Sequence, residues 1–155
     1  MTLVVGQPAP DFTLPVAGGD TVTLSALRGQ PVVIYFYPRD NTPGCTQEAC
    51  DFRDRFPDFT AARAAIIGIS KDSIASHDKF KAKYDLPFVL ASDADAAVCQ
   101  AYGAWGEKTF CGKTSIGLIR STALVDAVGV VRMIWRGVKV KEHAAKVLEA
   151  VKALS

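Results

Sequence analysis

The sequence predicts an α/β sandwich: a central mixed sheet, parallel in its middle and antiparallel at one edge, flanked by helices. Three observations predict it. Short apolar runs rich in β-branched and aromatic residues recur along the chain. Segments with the apolar spacing of a helix alternate with them. Pro and Gly clusters punctuate the ends of both. Length and composition agree, since 155 residues with 49% apolar and 22% charged types suit one soluble globular domain spanning residues 1–155. A chain of this size buries roughly 68% of its unfolded surface and needs no metal or disulfide staple to fold.

Each element can be justified in turn. Pro8, Pro10, Pro15, Gly18 and Gly19 bracket two short extended pieces, Phe12 to Leu14 and Thr21 to Leu24. Gly18 and Gly19 suit the turn of an N-terminal β hairpin between them. Pro31 and Pro38 enclose a continuous apolar run, the mark of a strand buried on both faces. Arg39 to Gly44 is a loop. From Cys45, apolar residues at 45, 49, 52 and 56 form one helix face, and that helix should stop near Pro57. Ala65 to Ser70 is another buried strand, Ser73 to Tyr84 a helix, and Val89 to Ala91 a short strand. Ser92 and Asp95 should cap a helix that ends at Gly103. Residues 103–115 read as a loop. Ser121 to Asp126 and Val130 to Arg136 are strands around a turn at Gly129. The last helix, Glu142 to Leu154, places Ala144, Val147, Leu148, Val151 and Leu154 on one face.

Charge and hydropathy exclude several classes of function. Eighteen Lys and Arg against sixteen Asp and Glu leave a net charge of +2, with the signs interleaved, so no basic patch argues for nucleic acid. The longest aliphatic and aromatic run, Val32 to Tyr37, has six residues, against the ~20 a membrane-spanning helix needs. The opening residues have no basic region and soon reach Pro8, Pro10 and Asp11, so no secretory signal is expected and the cytoplasm is the expected compartment.

A reducing compartment changes how the four cysteines are read. Structural disulfides are rare there, and cysteines that matter are catalytic or bind metal. Cys45 and Cys50 are separated by four residues, Cys99 and Cys111 by eleven, and His77 and His143 stand alone, which is not the clustering of a zinc site. Cys45 falls in the first turn of a predicted helix. Unpaired N–H groups and the positive end of the helix dipole favour a thiolate there, and a thiolate is the nucleophilic form. A strand, a loop and a helix beginning with a cysteine is how thioredoxin-like folds present a reactive thiol. Position alone also allows a small buried residue, since Cys45 belongs to the apolar stripe. Cys50 lies five residues on, turned by about 140° and carried about 7.5 Å along an ideal helix. The two Cα atoms would be about 8.7 Å apart, beyond the ~7 Å a disulfide spans. The pair could bond only if the first turns unwound. That suits a pair that cycles between states, and it equally leaves Cys50 free to be a bystander.

The residues from Tyr37 to Arg53, with Pro38, Thr42 and Cys45 at spacings of four and three, resemble the active-site motif of the peroxiredoxins. The extended string resembles the bacterioferritin comigratory protein, or peroxiredoxin Q, branch. The similarity runs from Gly6–Phe12 through Gly29–Pro38, Ile67–Ser70 and Gly117–Thr122 to Asp126. It implies a thioredoxin-like fold with the N-terminal hairpin as an extension, and a thiol-dependent peroxidase acting on hydrogen peroxide and organic hydroperoxides. Cys45 matches the peroxidatic cysteine and Cys50 the resolving one, with an intramolecular Cys45–Cys50 disulfide as the oxidised product. Thr42 matches the threonine whose hydroxyl contacts thiolate and peroxide. Pro38 and Pro43 would shape the loop and keep water back. Arg120 matches the active-site arginine. Glu48 fits the acidic position that orients threonine and arginine, although a first-turn carboxylate would also sit there simply to satisfy the helix dipole. The resemblance further implies no haem, flavin or metal, recycling by thioredoxin or a similar dithiol, and a monomer in preference to a ring.

The chain departs from the pattern at Cys111, where these proteins more often carry another residue, and at Cys99. Cys99 is expected to be packing. Cys111, in a loop, could serve as an alternative resolving thiol. His77 reads as partly buried packing, His143 as a residue with no partner, Trp105 as a possible edge of the site and Trp135 as core. Two rival readings are a general thiol–disulfide oxidoreductase, whose usual C-x-x-C spacing is absent, and a thioredoxin-like binding module with inert cysteines.

Overall fold

The computed structural model describes residues 3–154. Strands β1 (Thr13–Pro15) and β2 (Thr21–Thr23) form the expected hairpin, with Leu14 opposite Val22. Its turn uses Gly18 and Gly19 at φ +98° and +90°, backbone that only glycine adopts without strain. A 3-10 turn, Leu24–Leu27, leads to β3 (Val32–Phe36), in which all five residues are buried.

After β3 come α1 (Pro43–Asp54), α2 (Phe56–Ala61), β4 (Ala65–Ser70), α3 (Ile74–Tyr84), β5 (Val89–Ser92) and α4 (Ala97–Ala101). Then follow β6 (Trp105–Phe110), β7 (Lys113–Leu118), β8 (Ser121–Val125), β9 (Val131–Arg136) and α5 (His143–Lys152). The main sheet has the order β5-β4-β3-β8-β9. β3, β4 and β5 are parallel, β8 runs antiparallel to β3, and β9 antiparallel to β8.

Alternation along β3 divides the core in two. Val32, Ile34 and Phe36 pack with Phe12, Leu14, Leu24, Cys99 and Tyr102 on one face. Val33, Tyr35 and Tyr37 pack on the other with Cys45, Ala49 and Phe52 of α1, Phe80 of α3 and Val147 of α5. A strand with both faces buried has no polar positions to alternate, which is why it reads as an unbroken apolar run.

One expectation holds and two need correction. The cysteine-bearing helix stops near Pro57. The helix ends at Asp54, and Pro57 sits in the first turn of α2, where its missing N–H leaves no bond unmade. Ser92 and Asp95 are not a capping box. Ser92 ends β5 and donates its hydroxyl to the Asp72 carbonyl at 2.6 Å, while the neighbouring Asp93 carboxylate accepts the Cys99 amide at 2.7 Å. Residues 103–115 are not a loop: β6 and β7 pair antiparallel from Trp105–Leu118 to Phe110–Lys113. Most of β7 is exposed, Ile116 at 70%, so the hairpin lacks the alternation that marks a half-buried strand.

Candidate active site

The chain leaves the carboxyl end of β3 at Tyr37 and enters α1 five residues after Pro38. Thr42 is the extended N-cap residue, its carbonyl accepting the Thr46 amide at 2.8 Å. Pro43 occupies the first helical turn, where a proline is pre-set for the helix. Cys45 follows inside that turn, with the unpaired amides of the helix start around it. The cysteine is 1% exposed.

Arg120 reaches it from the connection between β7 and β8. Its Nη2 donates to Cys45 Sγ at 3.3 Å, and its Nη1 donates to Glu48 Oε1 at 2.6 Å. Glu48 and Cys45 are three residues apart on α1, so one helix face carries both partners of the guanidinium. The Arg120 carbonyl is held by the Val138 amide at 3.0 Å. Gly44 makes room: a Cβ there would lie 3.2 Å from Arg120 Nη2.

Glu48 is 1% exposed, and its Oε2 has no hydrogen-bond partner among the described residues. Burial pushes this carboxyl up to about 7, against the pull of Arg120. Burial works against the Arg120 cation, but the Glu48 charge and the Cys45 sulfur beside it outweigh that and raise it above its ordinary value. The site therefore holds a buried sulfur, a cation fixed on it and a carboxyl orienting the cation.

The other expected residues sit around this core. Thr42 is half-buried, and its hydroxyl donates to the Arg39 carbonyl at 2.9 Å rather than to the Cys45 sulfur. Pro38 and Pro43 are exposed. Cys50 is half-buried on the same helix, and all four thiols are free. Burial raises the Cys50 thiol above its usual range. Cys99 is buried, and burial together with the Asp93 carboxylate holds its thiol far above the normal range, as suits packing. Cys111 is exposed at the tip of the β6–β7 hairpin. Trp105 packs against the first core cluster with Lys71 Nζ 5.1 Å from its ring centroid. Trp135 is half-buried at the second.

Both histidines have partners that sequence reading missed. His143 Nε2 lies 2.8 Å from the Thr122 hydroxyl, and its ring meets Phe52 and Trp135 edge-on. Burial lowers it to about 4, with Lys146 and Arg120 adding to the effect. His77 is fully buried and bonded to Asp40. Neither partner is a sequence neighbour, so neither left a spacing signal. Among the described residues, no group of three or more His, Cys, Asp and Glu could hold a metal, and no helix is long and apolar enough to cross a membrane.

Comparison with known proteins agrees with this geometry. The AhpC/TSA family matches residues 5–134. The Bacillus subtilis peroxiredoxin Bcp is 47% identical over 155 residues, covering 100% of this chain and 99% of that protein. A Xanthomonas campestris peroxiredoxin Q structure has a TM-score of 0.87 at 48% identity, covering 92% of this chain and 90% of that one. The Xanthomonas campestris bacterioferritin comigratory protein, solved in trapped intermediate/ligand complexes that bear on its alkyl peroxide reduction activity, has a TM-score of 0.91 at 44% identity, covering 97% and 99%. The fold is the thioredoxin-like fold of these structures, extended by the N-terminal hairpin. Matched over most of its length by that family and over nearly all of it by these relatives, the chain belongs to the AhpC/TSA family and, within it, to the bacterioferritin comigratory and peroxiredoxin Q group.

Proposed function

We propose that this chain is a thiol-dependent peroxidase in which Cys45 attacks hydrogen peroxide and organic hydroperoxides. The observation that carries the reading is the Arg120 guanidinium, held on Glu48 and donating to the Cys45 sulfur. The Cys45 thiolate attacks one peroxide oxygen. The S–O bond forms as the O–O bond breaks, and the leaving oxygen takes a proton and departs as water or an alcohol. Cys45 is oxidised to sulfenic acid while the peroxide is reduced. Arg120 stabilises negative charge on the sulfur before attack and on the leaving oxygen during it. Thr42, whose hydroxyl donates to the Arg39 carbonyl in the resting protein, turns it to the incoming peroxide. Cys50 then attacks the sulfenic sulfur and expels water, giving a Cys45–Cys50 disulfide. About one and a half turns of α1 hold the cysteines apart, so the helix must unwind first. A dithiol such as thioredoxin returns both thiols, and the protein works as a single-domain monomer in the cytoplasm.

The test is a stopped-flow mix of the reduced protein with hydrogen peroxide, followed by peptide mapping. One equivalent should be consumed, with Cys45 and Cys50 found disulfide-linked. Cys45→Ser should abolish turnover, because a serine hydroxyl is protonated at neutral pH, while Cys99→Ser should leave it intact. Appreciable turnover by Cys45→Ser would sink the assignment.

A further inference from the structure

Pro38, Arg39, Asn41 and Pro43 are exposed, yet Asp40 between them is only 7% exposed. Carboxylates are rarely buried unless paired, and Asp40 is paired three times. Its Oδ1 accepts from the Tyr37 hydroxyl at 2.6 Å. Its Oδ2 accepts from the Ser76 hydroxyl at 2.8 Å and faces His77 Nδ1 at 2.7 Å. The other ring nitrogen of His77 faces the Ala91 carbonyl at 2.9 Å. Both ring nitrogens thus face an oxygen atom. The Asp40 amide in turn donates to Asp72 Oδ2 at 2.8 Å, and Asp72 is held by the Ser70 hydroxyl at 2.7 Å. The next residue, Asn41, sits at φ +60° and accepts from Lys83 Nζ and the Tyr84 hydroxyl, each at 3.3 Å.

Asp40 therefore ties the loop before Cys45 to the end of β3 through Tyr37 and to α3 through Ser76 and His77, and it reaches the ends of β4 and β5 through Asp72 and His77. None of these bonds involves α1. The helix that must unwind for a Cys45–Cys50 disulfide begins just beyond this anchor.

We propose that Asp40 is a positioning residue for the Cys45 reaction. It pins the loop to the sheet while α1 unwinds beyond it, so that Cys45 refolds onto Arg120 in each cycle. Networks of buried, charge-assisted hydrogen bonds hold one arrangement strongly, and a local segment can open while its anchor stays closed. The inference rests on the peroxidase reading above, since it assumes that the disulfide forms.

Amide exchange of the wild-type protein, reduced and peroxide-oxidised, tests it. Peptide mapping first shows that the oxidised sample carries the Cys45–Cys50 disulfide; if it does not, the Cys45–Cys50 pairing of the proposed function fails on its own, before any exchange result. With the disulfide present, amides from Thr46 to Arg53 should exchange tenfold faster or more, while the Asp40 amide keeps its protection. Loss of protection at Asp40 along with α1 overturns the pin. A second arm follows the two chemical steps separately. In Asp40→Asn, sulfenic acid formation should slow by on the order of tenfold, the scale of a small misplacement of the attacking group, while disulfide formation is not slowed. Equal slowing of both steps, or of neither, overturns the proposal. If Asp40→Asn does not fold, Ser76→Ala removes one of the three partners and should show the same split more weakly, with Ser76→Thr restoring the wild-type rates.

Discussion

Arg120 and Glu48 stand 72 residues apart in sequence and 2.6 Å apart in the fold, Nη1 to Oε1. The pair is what aims the guanidinium. Free, an arginine side chain samples many rotamers. Held at Nη1, it presents Nη2 to the Cys45 sulfur at 3.3 Å. The carboxyl cannot turn to water in exchange, because it is buried and its second oxygen already lacks a partner among the described residues. A preorganised donor of this kind needs no reorganisation when charge moves from sulfur to oxygen.

Removing the donor should therefore cost rate before it costs stability. Arg120→Ala should slow peroxide reduction tenfold or more. Arg120→Lys should also be slow, since an ammonium cannot bridge two partners with one planar fork. Stopped-flow rates with circular dichroism as a folding control decide this. A wild-type rate constant in Arg120→Ala would show that the guanidinium is a bystander.

Gly44→Ala isolates the aim of that donor from its presence. The added methyl would press on Arg120 Nη2 at 3.2 Å, and Arg120 cannot retreat without loosening Glu48 or Cys45. Gly44 lies in α1, where alanine is the better helix former by up to about 1 kcal/mol. The variant should melt no lower than wild type yet react with peroxide several-fold more slowly. Unchanged kinetics would mean that the exact seat of the guanidinium does not matter.

Glu48 gives a prediction about pH. Its ordinary value is 4.5, and burial raises it to about 7 in the folded chain. Between those values the folded state holds a proton that the unfolded state has lost, so stability falls as pH rises. The contribution is fully present below about 4.5 and lost on passing about 7. Glu48→Gln cannot titrate. Its unfolding free energy should gain on wild type by up to about 3 kcal/mol between acidic and mildly alkaline pH. His143, lowered to about 4, slopes the other way but is common to both proteins and cancels in the difference. Parallel denaturant curves across that range would refute the raised carboxyl.

The strands and the cysteine-bearing helix were legible because burial leaves a periodic trace. Val32 to Phe36 shows none of the polar alternation of a half-exposed strand, and Cys45, Ala49 and Phe52 fall on one helical stripe. Arg120 and Glu48 were legible only through resemblance, since no local rule joins residues so far apart. Asp40 was opaque for a related reason. In sequence it is a polar residue among Pro, Arg and Asn, which describes a solvated loop. Its partner His77 is 37 residues away and shares a helix face with Phe80, which describes packing. The β6–β7 hairpin was missed because neither face of it is covered enough to select apolar residues at alternate positions.

Cys50 carries the last prediction. In α1 the two thiols cannot meet, so resolution needs the helix to open. Burial also keeps the Cys50 thiol above its usual range, and opening the helix removes that penalty as it brings the sulfur within reach. Unwinding and activation of the resolving thiol are then one event. Cys50→Ser should still reduce one equivalent of peroxide at the wild-type rate, because Cys45 and Arg120 are untouched. It should then stall as sulfenic acid and go on to sulfinic acid in excess peroxide. Cys111 is the exposed thiol that could intervene, from the tip of the β6–β7 hairpin. Mass mapping of Cys50→Ser and of the Cys50→Ser/Cys111→Ser pair separates the two routes. Identical over-oxidation in both leaves Cys50 as the resolving thiol. A Cys45–Cys111 link in the wild type, with Cys50 still free, would reassign resolution to the hairpin and remove the need for α1 to unwind between Cys45 and Cys50.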